Sequence, residues 1–195
     1  MSASQASRKP VRERILETAS QLFYREGIQN VGIDRIIAES GVAKMSLYNH
    51  FKSKDALIET FLRQRDQQWR QWFVARVEEG SSEPKQQLLR LFDVLQEWFE
   101  SPDFRGCAFI NATVELANPN HPGCQAALDH QQAVYTFIHR LVTEVEGLES
   151  TERLARQLLL LVQGAIVVAM MQNHPLAAAE AKYAAALLLD ADQKQ

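Results

Sequence analysis

The clearest chemistry in this sequence lies in seven consecutive residues, 44 to 50, which read KMSLYNH. They bring together an ammonium group, a hydroxyl, a phenol, an amide and an imidazole. Such groups donate hydrogen bonds to phosphate oxygens or to the edges of bases. No nucleophile with a neighbouring base and no pair of carboxylates stands in this segment. The residues therefore indicate binding rather than catalysis.

Two short helices are predicted to hold these side chains. Ile33, Ile36 and Ile37 have the spacing of one helix face, and Gly41 supplies a tight turn because glycine accepts a left-handed backbone. In the helix that follows, Leu47 and Phe51 would face inward and leave the polar residues outside. Two helices joined by a glycine turn form a helix-turn-helix, here residues 32 to 51.

Individual contacts follow from the side-chain types. Lys44, near the start of the second helix, suits guanine or a phosphate, and Asn49 suits adenine. Met45 would touch a thymine methyl group, and Arg35, on the outer face of the first helix, would contact a phosphate. A merely solvated role stays open for the lysines.

The residues also resemble a known family. Gly41-Val42, Leu47-Tyr48, His50-Phe51 and Lys52-x-Lys54-x-x-Leu57 look like the DNA-binding signature of the TetR family of bacterial repressors. The resemblance implies that Ser46, Tyr48 and His50 contact the DNA backbone or bases, and that Lys54 holds a phosphate. Packing against the core is an equal alternative for Tyr48, and a capping or core role is an alternative for His50.

Charge and cysteine content agree with this interpretation. Residues 1 to 54 contain nine Lys or Arg against five Asp or Glu, whereas the remainder contains twelve against nineteen. The front thus suits a polyanion. Cys107 and Cys124 fit no metal spacing or disulfide framework, and the first residues lack the apolar core of a signal peptide, so we expect a cytoplasmic protein. The apolar run from Leu158 to Met171 has fourteen residues, fewer than the ~20 that span a membrane, and is predicted to be a buried helix.

The periodicity predicts an all-α protein of about nine helices in three parts. These are a flexible arm (1–9), the helix-turn-helix domain (10–54) and a ligand-binding and dimerisation domain (55–195). A long fourth helix, capped by Ser53, would transmit shifts between the two domains. The seventh helix is predicted to run from Gln125 to Val145 with Leu128 inward, and Pro175 is predicted to open the ninth.

Polar groups and aromatic rings in the rear helices indicate a pocket for a small molecule, of apolar or cationic character. The candidates are Trp69, Trp98, Phe109, Asn111, Glu115, Tyr135 and Gln163. Glu115 would meet a cationic or hydroxylated ligand, or else pair with Arg105 or Arg140. Core packing is the alternative for each aromatic ring. The histidines His121, His130, His139 and His174 have no ligand spacing, so we expect neither a metal nor another cofactor.

The last two helices are rich in Leu, Ala and Val, and by family resemblance they would pair with the same helices of a second chain. The predicted function is a dimeric repressor that a small-molecule effector releases from a palindromic double-stranded DNA operator. The alternatives are a ligand-independent architectural DNA-binding protein, or a small helical enzyme with a DNA-binding-like front; no catalytic residues are predicted. Sequence does not separate repression from activation.

Overall fold

The computed structural model describes residues 9–172 and 176–193, and within these ranges the protein is all α. Of the predicted arm (1–9), only Lys9 is among the described residues. His174 and Pro175 also lie outside them. The described helices are α1 (Val11–Glu26), α2 (Ile33–Ser40), α3 (Lys44–His50), α4 (Lys54–Glu78), α5 (Pro84–Phe99), α6 (Ala108–Leu116), α7 (Pro122–Thr143), α8 (Thr151–Gln172) and α9 (Ala177–Asp192).

Helices α1 to α3 pack into a small head. Ile15, Ile36 and Leu47 are fully buried in its centre, and Phe51 closes it after the last turn of α3. Gly41 has φ of 61°, the left-handed conformation that its place between α2 and α3 requires. Arg14 of α1 donates hydrogen bonds to the carbonyl groups of Ser40 and Gly41. The turn is thereby held against α1.

Helix α4 joins the head to the remaining helices. The Ser53 hydroxyl caps its start by accepting a hydrogen bond from the amide of Ala56 at 3.1 Å, as predicted. Its first turns are buried against the head, where the rings of Phe61 and Phe23 lie 5.6 Å apart. Its second half buries Phe73 among the rear helices. One rigid helix is therefore part of both packing units.

Helices α5 to α9 surround α4 and one another to form the body. The predicted start of α7 is wrong by three residues, because Pro122 occupies the first turn, where proline needs no amide hydrogen. The predicted inward position of Leu128 is also wrong: its side chain is 60% exposed, while Val134, Ile138 and Leu141 are buried. Buried positions of α7 lie both before and after Leu128, so the buried face of this helix runs past Leu128 in a different register.

The apolar run from Leu158 to Met171, predicted to be too short to span a membrane and to be a buried helix, lies within the longer helix α8. The whole helix has 22 residues and a mean hydropathy of 1.9 over its most apolar window, which suffices by length and composition alone. It packs against α7, α9 and α5 and buries Leu154, Leu158 and Val162. Core helices of soluble proteins pass the same test, so this feature is weak evidence for a membrane.

Candidate DNA-binding surface and effector cavity

Helix α3 presents its polar residues outward. Lys44, Met45, Tyr48, Asn49 and His50 are exposed, and Ser46 is half-buried. Leu47 and Phe51 anchor the opposite face in the core of the head. The exposed fraction of Met45, 71%, is unusual for a large apolar side chain and leaves it free to contact an apolar base edge. Six of the eight predicted DNA-binding residues thus share one surface.

The two other predicted DNA contacts lie on the flanks of this surface. Arg35 forms ion pairs with Glu26 and Glu39. Its hydrogen bond to Glu26, and to a smaller extent its hydrogen bond to Glu39, raises the pKa of its guanidinium. Lys54 donates a hydrogen bond to the carbonyl oxygen of Ile28 at 2.7 Å, and burial lowers the pKa of its ammonium. Both side chains therefore brace the head internally, which sequence reasoning did not anticipate.

Lys44 is also paired, but weakly. Its ammonium lies 3.2 Å from a carboxylate oxygen of Asp34, and both side chains are largely exposed. An exposed ion pair contributes little free energy, about 0–1 kcal/mol. A phosphate could displace Asp34 at small cost.

A cavity lies between α4, α5, α6, α7 and α8. Its walls include four of the predicted ligand-binding residues, Trp69, Trp98, Phe109 and Gln163. The cavity volume is about 20 Å³, room for roughly one water molecule. Binding of an aromatic molecule therefore requires the walls to move.

His130 is the principal polar group of this cavity, and its site role was missed from the sequence. It is 5% exposed, its ring stacks on Phe109 with centroids 3.7 Å apart, and its Nδ1 lies 2.8 Å from a carboxylate oxygen of Asp66. Arg70 donates two hydrogen bonds to the same carboxylate, each of 2.7 Å. Burial of Asp66 works against its charge, but the hydrogen bonds from Arg70 and His130 hold the pKa of that carboxyl below its usual value.

The state of His130 follows from these neighbours. Burial lowers the pKa of the imidazole, although Asp66 works in the other direction. The ring is therefore neutral at pH 7, and the ionised Asp66 accepts the hydrogen on Nδ1. The Nε2 atom then carries a lone pair, and no residue in the described parts of the chain bonds to it.

The remaining predicted ligand-binding residues are not brought into this cavity. Asn111 and Glu115 line a separate hollow of about 190 Å³ between α6 and α1. The Glu115 carboxylate accepts a hydrogen bond from the backbone amide of Gln29 at 3.0 Å, so its expected pairing with Arg105 or Arg140 is wrong. Arg140 instead pairs with Glu78, and the Arg105 guanidinium bonds backbone carbonyls. Tyr135 lines neither space; its ring lies 5.7 Å from that of His139.

Comparison with known proteins identifies the family. Residues 15–61 match the family model of bacterial regulatory proteins of the tetR family. A crystal structure of SCO4454, a TetR-family transcriptional regulator from Streptomyces coelicolor, superposes with a TM-score of 0.86 at 33% identity, covering 94% of this chain and 96% of that one. The chain belongs to the TetR family.

Two similar HTH-type regulators agree with this assignment. The HTH-type transcriptional regulator YjdC of Escherichia coli K12 is 27% identical over 155 residues, which cover 80% of this chain and 81% of YjdC. The HTH-type transcriptional repressor DhaR of Mycobacterium sp. GP1 is 31% identical over 111 residues, 57% of this chain and 54% of DhaR. The chain is therefore a DNA-binding transcriptional regulator.

The TetR-family match covers α2 and α3 and so the outward surface described above. It does not extend to the cavity, where sequence reasoning missed His130, Arg65 and Gln131. The sequence did contain one indication of this site: Asp66 and Arg70 stand at i, i+4 and form an ion pair, and such a carboxylate can accept a hydrogen bond from a buried imidazole. Only the fold shows that α7 faces this pair.

Proposed function

We propose that the chain is a non-catalytic, homodimeric repressor of the cytoplasm that a small molecule in the cavity releases from a palindromic operator. Each protomer would insert α3 into the major groove. The observation that supports release most strongly is that Arg65 lines the cavity and also covers the ring of Tyr24 in α1, with its guanidinium 3.5 Å from the ring centroid. One side chain thus contacts both the effector cavity and the head.

The start of α6 provides a second connection between cavity and head. The hydroxyl of Tyr24 donates a hydrogen bond to the carbonyl of Gly106 at 3.1 Å and accepts one from the amide of Arg105 at 3.0 Å. The next residue, Cys107, lines the cavity. If the cavity opened, Arg65 and the residues before α6 would shift against Tyr24. A ligand that binds only the open cavity would then favour a different placement of the head.

The end of α6 is attached to the head as well. Glu115 binds the backbone amide of Gln29 through its carboxylate, and its carbonyl accepts a hydrogen bond from the Gln29 side chain at 3.0 Å. Lys54 holds the neighbouring Ile28 carbonyl. The loop between α1 and α2 is therefore fixed by both α6 and α4. A shift of α6 is expected to move this loop together with α2 and α3.

The dimer would form through α8 and α9, which expose apolar side chains on one side of the body. Leu160 and Val168 lie on one stripe of α8 with Gly164 between them, and α9 exposes Tyr183 and Leu187. A groove of about 480 Å³ runs between the two helices. Contiguous exposed apolar surface of this kind marks protein interfaces. A two-fold dimer places two α3 helices on half-sites of opposite direction, which accounts for a palindromic operator.

Repression is proposed over activation because DhaR, which is 31% identical over 111 residues, is a transcriptional repressor. Binding of α3 over a promoter would exclude the polymerase. Loss of this contact on effector binding would then raise transcription.

Selection from a pool of random DNA duplexes tests the proposal. The purified chain is expected to enrich an inverted repeat whose half-sites lie about one helical turn, or a multiple of it, apart. Sedimentation of the complex should give an even number of chains per duplex. Enrichment of no sequence, or of a single unrepeated site by one chain, would contradict it.

A further inference from the structure

Two polar atoms of residues that line the cavity have no hydrogen-bond partner within the described residues, and one of the two is fully buried. One is the Nε1 of Trp69, a donor that is shielded from solvent and unbonded. The other is the Nε2 of His130, which lies among the cavity walls and bears a lone pair because Asp66 accepts the hydrogen on Nδ1. An unpaired buried polar group destabilises the fold by about 1–3 kcal/mol. The cavity therefore offers one donor and one acceptor to a bound molecule.

The two rings that carry these atoms are direct neighbours. The Trp69 and His130 ring centroids lie 5.3 Å apart in an edge-to-face arrangement of 66°. A hydroxyl oxygen donates one hydrogen bond and accepts another at the same atom. An ether or carbonyl oxygen accepts only, and a quaternary ammonium group does neither.

The other walls set the shape and charge of the ligand. Trp98 and Phe109 contribute aromatic faces, and Leu159, Val162 and Ile166 contribute aliphatic ones. No carboxylate lines the cavity within the described residues, whereas Arg65 does. A cation would therefore meet a positive charge without a counter-ion. This argues against the cationic class that the sequence left open.

Trp69 and Val134 offer a way for the cavity to open. Both also line a groove of about 540 Å³ on the surface between α4 and α7. Movement of these two side chains would join the groove to the small cavity and supply the volume that an aromatic ring needs, on the order of 150 Å³.

We propose that the effector is a small uncharged phenol, whose hydroxyl donates to Nε2 of His130 and accepts from Nε1 of Trp69. This inference rests on the proposed function only in calling the molecule an effector; the binding site itself stands on the cavity geometry. Gln163 donates one hydrogen bond to Gln131 at 2.7 Å, so these two cavity-lining amides already have each other as partners.

Calorimetric titration of the full-length protein with four matched probes tests the inference. The probes are para-ethylphenol, its isostere para-ethyltoluene, the methyl ether para-ethylanisole and the cation para-ethylbenzylammonium. We expect the phenol to bind at least about tenfold more tightly than each of the others, because only it satisfies both atoms. Equal affinity of the phenol and the isostere, or no binding of the phenol, would overturn the inference.

Two variants show whether the named atoms are responsible. His130→Asn keeps an amide donor near the position of Nδ1 for Asp66 but removes Nε2, and Trp69→Phe removes the indole donor while keeping an aromatic ring. In each variant the preference for phenol over isostere should fall to about threefold or less, with unchanged affinity for the isostere. His130→Gln, which places an amide oxygen near the Nε2 position, should restore part of the preference. Persistence of the full preference in both variants would overturn the assignment.

The readout also separates this inference from the proposed function. Tight phenol binding without any change in DNA affinity would support the ligand class and contradict ligand-controlled release. Release of DNA by a cation or hydrocarbon, with no binding of the phenol, would support the proposed function and overturn the ligand class.

Discussion

At the scale of single residues, a substitution of Lys44 can distinguish a DNA contact from a solvated surface charge. It lies at the start of α3, exposed, and its ion pair with Asp34 is weak enough for a phosphate to replace. The neighbouring cations Arg35 and Lys54 are instead bound within the head. Their phosphate contacts remain predictions.

Replacing Lys44 should therefore weaken DNA binding without affecting the fold. For Lys44→Ala we expect an affinity loss of about tenfold. If the contact is a phosphate, the dependence of affinity on salt should also fall by about one unit of logarithmic slope. Fluorescence anisotropy at several salt concentrations measures both quantities.

Arg76→Ala is the matched control, since Arg76 stands near the far end of α4, roughly 33 Å along the helix from its start. Its loss should leave DNA affinity unchanged. Equal effects of the two substitutions would mean that Lys44 contributes only general charge.

His130 carries a second prediction, for the dependence of stability on pH. Its pKa is lowered in the folded state, mainly by burial, so the unfolded chain takes up the proton more readily. The charged groups that face it are Asp66 and Arg70 of α4, with Arg65 also in the cavity wall. Stability should therefore fall as pH drops below about 6.5, the value for an unfolded histidine, by at most about 1.4 kcal/mol per pH unit.

Chemical denaturation of the wild type and His130→Asn between pH 7.5 and 5.5 measures this contribution. The variant lacks the imidazole but keeps the other histidines, so the difference between the two pH profiles isolates His130. Parallel profiles would show that its pKa is not lowered by folding.

At the scale of elements, the sequence predicted the helices better than it predicted their contacts. The isoleucine spacing and Gly41 located α2 and α3, because capping and helix periodicity are local properties. Leu128 was misplaced because α7 has more than one apolar stripe, and only packing decides which is buried. The Glu115 contact with Gln29 joins residues 86 positions apart, and no local pattern encodes it.

The attachment of α6 to the head gives an element-scale prediction. In Glu115→Ala the backbone amide of Gln29 loses its acceptor, so its hydrogen exchange should accelerate by about fivefold, the equivalent of one net hydrogen bond. Exchange measured by NMR at single amides tests this. Glu100→Ala, at the end of α5, removes a similar carboxylate and should leave the Gln29 exchange rate unchanged. Unaltered exchange in Glu115→Ala would mean that the loop is held by other contacts.

At the scale of the whole molecule, the site was predictable to different degrees. The outward polar face of α3 followed from the sequence. Four of the predicted ligand-binding residues line one cavity, and their contact with a ligand remains a prediction. The small volume of that cavity was not predictable, since it depends on how five helices pack. The role of His130 depends on the meeting of α4 and α7 and was missed for the same reason.

The exposed side of α8 and α9 carries the prediction for assembly. Leu160→Lys would place an unpaired charge in the proposed interface, and we expect the dimer dissociation constant to rise by at least about 100-fold. Sedimentation velocity measures the change. Val114→Lys is the control, because Val114 lies on α6 rather than on α8 or α9. The two side chains are similarly exposed, 74% for Val114 and 67% for Leu160. A dimer that survives Leu160→Lys would place the interface elsewhere.

The most direct test of the central claim, sequence-specific DNA binding by this head, is an affinity measurement. Labelled DNA from beside the chain's own gene is titrated with the protein at several salt concentrations, against a shuffled duplex of equal length. We predict binding to the native DNA that is about 10³-fold tighter, with a steep salt dependence. The account is contradicted if the native DNA contains the inverted repeat enriched from the random pool and still binds no more tightly than the shuffled duplex.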